Sequence, residues 1–74
     1  MTLEEAPNGF VCKITGINGN VHLHNRLTAI GLTVGSTVQI LKKQKNMPLL
    51  LFCRDTKIAL GRNVCKKIIV EAVI

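Results

Sequence analysis

The sequence predicts a mainly β fold, a small barrel of five or six strands with one short helix inserted after the first strand. Three observations lead to this prediction. Short strand-like segments recur along the 74 residues, and turn residues separate them, which is typical of small barrels. One segment changes from helical to strand periodicity at a glycine. The length suits a single domain, residues 1–74, with one hydrophobic core.

The inserted helix is predicted from apolar residues at helical spacing. Leu23, Leu27 and Ile30 follow the i, i+4, i+7 pattern of an amphipathic helix. Gly31 is expected to end it, because the residue after a helix often needs a positive φ, which glycine adopts without a steric cost. Residues 37–40 then alternate polar and apolar side chains, as a strand does. We predict that the buried stripe of the helix consists of Val21, Leu23, Leu27 and Ile30.

A hairpin is the alternative for the start of this helix. The Asn-Gly dipeptide at positions 18 and 19 is typical of two-residue hairpin turns, and residues 21–24 could form the returning strand. In the helical alternative, Asn20 is the N-cap. The choice decides the role of His22 and His24. On a strand they could share a metal ion, whereas on a helix they diverge by about 200°.

The remaining elements are predicted from turn residues and from alternation. Turn residues at positions 7–9 open a first strand at residues 10–17, which should be central in the sheet. A second strand ends near Lys42, and a basic loop follows at residues 42–48. Further strands are expected at residues 49–53, 58–60 and 68–74, with a polar turn at 54–57 and one helical turn at 61–65. We expect the barrel to close and so to protect its sheet edges.

The three cysteines are predicted to be reduced and buried. Cys12, Cys53 and Cys65 are an odd number, at spacings that fit neither a disulfide framework nor a CxxC metal knuckle. Free cysteine is among the residue types most often buried. We therefore interpret all three as small hydrophobic residues of the core, and we predict no metal site.

Acidic side chains are too few to suggest catalysis. The four acids are Glu4, Glu5, Asp55 and Glu71, and the first two lie in a start that we expect to be flexible. Their spacing suggests no carboxylate pair, and the sequence contains no GxSxG, GxGxxG or GxxxxGK[ST] motif. The sequence predicts no catalytic residue and no cofactor.

The formal net charge of +6 favours an acidic partner. Nucleic acid, the anionic inner face of a membrane and an acidic protein surface are compatible with such a charge. The chain has no Trp or Tyr, and both Phe residues fall at predicted core positions. Aromatic surface for stacking bases, or for gripping proline-rich peptides, is therefore scarce. The basic residues concentrate at Lys42, Lys43, Lys45, Lys66 and Lys67.

Residues 26–40 read Arg-Leu-x-x-Ile-Gly-Leu-x-x-Gly-x-x-Val-x-Ile, and Ile-Ala-Leu follows at 58–60 and Ile-Ile-Val at 68–70. In this order and spacing, the motifs resemble the FeoA family of small proteins that accompany the bacterial ferrous-iron transporter FeoB. The resemblance extends from about residue 3 to residue 70. It implies an SH3-like barrel, and it favours the helix over the hairpin. It also implies a non-enzymatic accessory protein that binds the cytoplasmic, GTP-binding part of FeoB.

Because aromatic side chains are scarce, we expect a protein partner to be recognised by aliphatic side chains near the helix and its turn. Leu32 is the first candidate, because an apolar residue after a helix cap can stay partly exposed; alternatively it packs on the core as the hydrophobic contact of the cap. Val34 stands where the family often has Pro, and Asp55 stands where it usually has Gly. We predict that the partner-binding residues are Arg26, Leu32, Thr33, Val34 and Gly35.

Two other classes of function remain as alternatives. One is a small basic barrel that binds nucleic acid. The other is a metal-sensing regulatory domain, since the same module occurs at the C-terminus of some iron-responsive repressors. We expect a cytoplasmic location, at or near the inner face of the membrane, because no apolar run approaches the roughly 20 residues needed to span a bilayer and the start does not resemble a secretory signal.

Overall fold

Five antiparallel strands and two helices make up the fold in a computed structural model, which describes residues 1–73. A 3-10 helix at Leu3–Glu5 precedes them. The predicted mainly β fold with one inserted helix is confirmed. The elements are β1 (Val11–Ile17), α1 (Val21–Ala29), β2 (Thr37–Lys42), β3 (Leu49–Cys53), β4 (Thr56–Leu60), α2 (Arg62–Cys65) and β5 (Ile68–Ala72).

The strands follow the order β4-β3-β2-β1-β5 in one sheet. The predicted central position of the first strand is confirmed, because β1 pairs with both β2 and β5. The prediction that the barrel closes was wrong, since β4 and β5 are the two ends of the hydrogen-bonded order. The sheet is therefore open, and it has two edge strands whose outer N–H and C=O groups are not paired within the sheet.

The start of the chain covers the β5 edge. The backbone N–H of Val70 donates to the carbonyl of Met1 at 2.8 Å, and Thr2 forms an isolated bridge with Ile69. In the same segment, the side chains of Leu3 and Ala6 are fully buried. The expectation of a flexible start was therefore wrong, because two apolar side chains at the start of the chain complete the core.

Two basic residues hold this N-terminal segment in place. Lys43 donates from Nζ to the carbonyls of Glu4 and Ala6, the latter at 3.3 Å. Arg62 forms an ion pair with the carboxylate of Glu4 at 3.5 Å and donates to the carbonyl of Gln44 at 3.3 Å. We call these contacts the N-terminal clasp. They join the start of the chain to α2 and to the loop after β2.

The core is built from the inward-facing residues of the strands together with one face of α1. Leu23 and Leu27 are the buried residues of the helix. Val21 and Ile30 are 65% and 46% exposed, so their predicted place in the buried stripe was wrong. The three cysteines are free and buried, as predicted, and burial raises the pKa of Cys65 to about 11.

The outer face of β3 carries Phe52, which we predicted from the sequence to lie in the core. Leu49, Leu51 and Cys53 are buried, whereas Leu50 and Phe52 alternate with them and are half-buried. Phe10 packs against the core, but Phe52 does not. The prediction for Phe52 was wrong because successive residues of a strand face opposite sides of a sheet.

The helix α1 begins and ends with recognisable caps. The side chain of Asn20 accepts a hydrogen bond from the N–H of Leu23 at 3.0 Å, which confirms the helix and excludes the hairpin. At the other end, Gly31 has a φ of +90° and donates to the carbonyl of Thr28 at 3.0 Å. Leu32 donates to the carbonyl of Leu27 at 2.8 Å, which completes a Schellman motif.

A two-residue turn joins β3 to β4. Arg54 and Asp55 have φ values of 51° and 61°, the left-handed conformation that this kind of hairpin requires at both positions. Asp tolerates it better than most residues do. The strand β4 accordingly starts at Thr56, so the predicted four-residue connector at 54–57 was too long.

Replacing Gly31 by Ala tests the helix end. We expect the free energy of unfolding to fall by about 1–2 kcal/mol, because a Cβ at positive φ is strained. Space is not the cause, since the nearest atom to such a Cβ is Cδ of Arg54, 3.8 Å away. Urea unfolding measures the change. The matched control is Gly61→Ala, at a φ of −60° with nothing near its Cβ. It should change stability by only a few tenths of a kcal/mol, because the loss of a favoured N-cap residue is offset by the reduced freedom of the unfolded chain. Equal losses would contradict the account.

Replacing Lys43 by Met tests the N-terminal clasp. We expect a loss of about 1 kcal/mol or more in unfolding free energy, because two carbonyls lose a charged donor. The amide of Val70 should also exchange faster with solvent, because its acceptor Met1 lies in the clasped segment. Hydrogen exchange followed by NMR checks this. Lys45→Met, at an exposed position in the same loop, is the control and should change neither quantity.

Candidate docking surface

The turn after α1 is stabilised by hydrogen bonds within residues 31–36. The N–H of Ser36 donates to the carbonyl of Thr33 at 3.0 Å, and the N–H of Thr33 donates to Oγ of Ser36 at 3.3 Å. The two hydroxyl groups lie 3.0 Å apart. Oγ of Ser36 also donates to the carbonyl of Gly31 at 3.4 Å. The turn is therefore closed by its own side chains and has little freedom to rearrange.

Neighbouring elements fix the same turn to the sheet. The N–H of Gly35, which has a φ of +96°, donates to the carbonyl of Ile14 in β1 at 2.8 Å. The N–H of Ile14 donates back to the carbonyl of Ser36 at 2.9 Å. From the β3–β4 turn, Nη2 of Arg54 donates to Oγ of Ser36 at 3.4 Å. Ser36, although buried, is thus fully hydrogen-bonded.

The predicted docking residues lie on this turn and on the helix before it, but not all of them reach the surface. Arg26, Val34 and Gly35 are exposed, and Thr33 is half-buried. Leu32 is 0% exposed, so the expectation that it stays partly exposed was wrong. Its side chain belongs to the core, together with that of Leu27, as the alternative interpretation of the helix cap required.

Ile30, which the sequence placed in the buried stripe of the helix, lies at the surface. It has φ −99° and ψ 7°, which are no longer helical, and its side chain is 46% exposed. Arg26, one helical turn earlier, and Ile30 line a shallow groove whose other wall is formed by Leu60 and Val64. Val34 is 60% exposed at the tip of the turn. We call Arg26, Ile30 and Val34 the helix-end surface.

Several basic residues have partners within the chain. Lys43 and Arg62 form the N-terminal clasp, and Arg54 holds Ser36. These contacts stabilise the fold, so part of the positive charge of the sequence is already paired with groups inside the chain. Lys42 and Lys45, at the two sides of the clasp lysine in sequence, are exposed.

The histidines lie apart from any metal-binding cluster. His22 and His24 are exposed and are two residues apart on α1, so their side chains diverge. Within residues 1–73, no group of three or more His, Cys, Asp or Glu side chains is placed to hold a metal ion. In the same part of the chain, neither helix has the length and apolar character that crossing a membrane would require.

The acidic side chains do not converge on one site. Glu4 is paired with Arg62, and Asp55 occupies the β3–β4 turn. Glu71 lies opposite Lys13 across the β1–β5 ladder. The backbone and side-chain hydrogen bonds from Thr2 lower the pKa of Glu5. Each described acid therefore has a local structural setting of its own.

Solved structures of several proteins share this fold. A FeoA in solution from Chlorobium tepidum matches with a TM-score of 0.90 at 23% identity, covering 100% of this chain and 71% of that chain. A zinc-complexed FeoA from Stenotrophomonas maltophilia, described as an SH3 domain protein, matches with a TM-score of 0.81 at 26% identity, covering 96% and 89%. A manganese-dependent transcriptional repressor matches with a TM-score of 0.90 at 15% identity, covering 99% and 41%.

The sequence itself supports the same assignment. None of the curated proteins that were searched matches the chain. The FeoA domain model, however, matches residues 1–72. The resemblance seen in the motifs of residues 26–40, 58–60 and 68–70 is thereby confirmed, together with the SH3-like fold that it implied. Because the family model covers nearly the whole sequence, this chain belongs to the FeoA family.

Proposed function

We propose that this chain is a non-enzymatic accessory protein of ferrous-iron uptake that binds the cytoplasmic part of a FeoB-type transporter through the helix-end surface. Membership of the FeoA family supports an accessory role in ferrous-iron transport. The Stenotrophomonas relative is described as a possible activating factor of bacterial ferrous-iron transport. The observation that carries the docking site is the exposure of Ile30, at the end of α1, and of Val34, on the hydrogen-bonded turn that follows.

Rigidity favours this surface as a docking site. The turn that carries Val34 is bonded to β1 and to Arg54, so little conformational entropy remains to be lost on binding. Ile30 and Val34 supply aliphatic contact area, and Arg26, which lines the same groove as Ile30, supplies a cation. Arginine is among the residue types that contribute most to binding energy, and neighbouring contacts that exclude water support such a residue.

In this role the protein would be located at the cytoplasmic face of the membrane. Its location there would depend on the transporter. The absence of catalysis is part of the same proposal, supported by the separate structural settings of Glu4, Asp55 and Glu71. An acid or base catalyst would have to act among convergent polar groups.

The two alternatives have weaker support. Nucleic-acid binding would use positive charge and stacked aromatic rings, but Lys43, Arg54 and Arg62 already have internal partners, and Phe52 is the single half-buried aromatic outside the described core. The metal-sensing alternative has support from structural similarity to the manganese-dependent repressor. This chain covers 41% of that repressor, and at 15% identity the similarity concerns the fold alone.

Replacing Val34 by Glu tests the proposal. We expect the affinity for the soluble cytoplasmic part of the transporter to fall at least about tenfold, which corresponds to ~1.4 kcal/mol, because a carboxylate would be buried in an apolar contact. The fold should persist, since this side chain is 60% exposed. Calorimetric titration, with and without guanine nucleotide, measures the binding, and circular dichroism checks the fold.

The controls use the same helix. Val21→Glu introduces the same charge at a position that is 65% exposed but lies at the opposite end of α1, and it should leave binding unchanged. A double variant, His22→Ala with His24→Ala, should also bind normally. No association of the unmodified chain at micromolar concentrations, in any nucleotide state, would count against the proposal. Loss of binding in the histidine variant would favour the metal-dependent alternative instead.

A further inference from the structure

The outer edge of β4 has backbone groups that are free to bind a further strand. The β3–β4 turn has two residues, so Cys53 and Thr56 flank it as a hydrogen-bonded pair. In an antiparallel ladder, bonded and non-bonded pairs alternate. Lys57 and Ala59 therefore occupy non-bonded positions opposite Phe52 and Leu50. Their N–H and C=O groups point away from β3, towards the open edge of the sheet.

This edge differs from the one at the other end of the sheet. At β5, the start of the chain supplies an acceptor to Val70 and a bridge to Ile69. At β4, the described sheet ends. The side chains of Lys57 and Ala59 are exposed as well. Within residues 1–73, one edge is covered by the chain itself, and the other has no strand paired beside it.

The surface beside the free edge is apolar with one cation. Phe52 lies directly opposite Lys57, and Leu50 lies directly opposite Ala59, all on the outer face of the sheet. Phe52 and Leu50 are half-buried. Ala59 has a small side chain, so a larger apolar side chain placed next to it can extend over Leu50. Cross-strand and diagonal neighbours on one face are close enough for such contacts.

We propose that the β4 edge binds an extended segment of a partner protein, which pairs antiparallel with Lys57 and Ala59 and places an acidic residue beside Lys57 and a branched apolar residue beside Ala59. Backbone pairing supplies the affinity in this mode, and alternate side chains supply the specificity. The acid is required by charge complementarity, since Lys57 is exposed and the chain carries a net charge of +6.

A second copy of this chain fits the edge less well. Two copies could pair antiparallel so that the backbone groups of Lys57 and Ala59 in each copy form hydrogen bonds. In that register, Lys57 of each copy would lie next to Ala59 of the other. The copy would then supply a second lysine and no acid, because β4 reads Thr-Lys-Ile-Ala-Leu. An exposed lysine on an edge strand also opposes pairing between identical edges. The edge is therefore selective for a strand of opposite charge.

NMR titration tests the proposal directly, because it detects weak binding at individual residues. The probe is the blocked peptide Gly-Thr-Val-Thr-Glu-Thr-Gly, in which Val falls beside Ala59 and Glu beside Lys57 in the antiparallel register. We expect its addition to the full chain, labelled with nitrogen-15, to shift the amide signals of Lys57 and Ala59 and to slow their exchange with solvent. Both amides become hydrogen-bonded in the complex.

Three variants and a second peptide complete the test. Ala59→Pro removes an outward-facing N–H from an edge strand, where proline is tolerated, and should abolish the shifts while the rest of the spectrum stays folded. If that variant unfolds, Lys57→Glu provides the test, since it should weaken binding of the acidic peptide and permit binding of a peptide with Lys in place of Glu. Lys66→Glu, in which the altered lysine follows α2, should leave binding unchanged.

Four results would overturn the proposal. These are the absence of shifts at millimolar peptide, shifts centred on residues away from β4, equal shifts with the lysine peptide and the unmodified chain, and concentration-dependent shifts of Lys57 and Ala59 without any peptide. The last result would assign the edge to a second copy of the chain. None of them bears on whether the chain binds the transporter, because the transporter is absent from this experiment.

Discussion

The positive φ of Gly31 is the constraint on which the rest of the structure depends. It reverses the chain at the end of α1 and directs Leu32 into the core, where it joins Leu27. The chain is thereby aligned for the turn at residues 33–36, which is bonded to β1 and continues into β2. The same reversal leaves Val34 outside. Core packing and surface presentation thus follow from one backbone conformation, and a residue other than glycine would adopt it only under strain.

The net charge of +6 includes cations that hold the structure together. A chain of 74 residues has little core to spare, and here basic side chains add long-range connections. Lys43 and Arg62 connect the start of the chain to the loop after β2 and to α2, and Arg54 connects two turns. The exposed cations that remain include Lys57, which stands on an open sheet edge. Position in the fold therefore distinguishes the lysines and arginines that can meet a partner from those that hold the structure.

The sequence predicted the positions of the helices and strands better than it predicted which of their side chains face the core. Period and capping residues identified α1, because Asn20 and Gly31 act locally. The run at β3 is apolar at every position, so nothing in it marked Phe52 as outward-facing. Ile30 kept the helical spacing but lies in the cap, where the dihedral angles have already changed. The open sheet and the N-terminal clasp depend on contacts between distant residues, such as Lys43 with Ala6, and local patterns carry no information about these.

The central claim is that the rigid turn after α1 presents the surface that meets the transporter. Hydrogen exchange measured by mass spectrometry, on the chain with and without a saturating amount of the transporter's soluble cytoplasmic part, tests it most directly. The account predicts slower exchange for peptides covering residues 26–36 and unchanged exchange for those covering the basic loop at 42–48. Protection confined to the basic loop, or no protection anywhere, would contradict it.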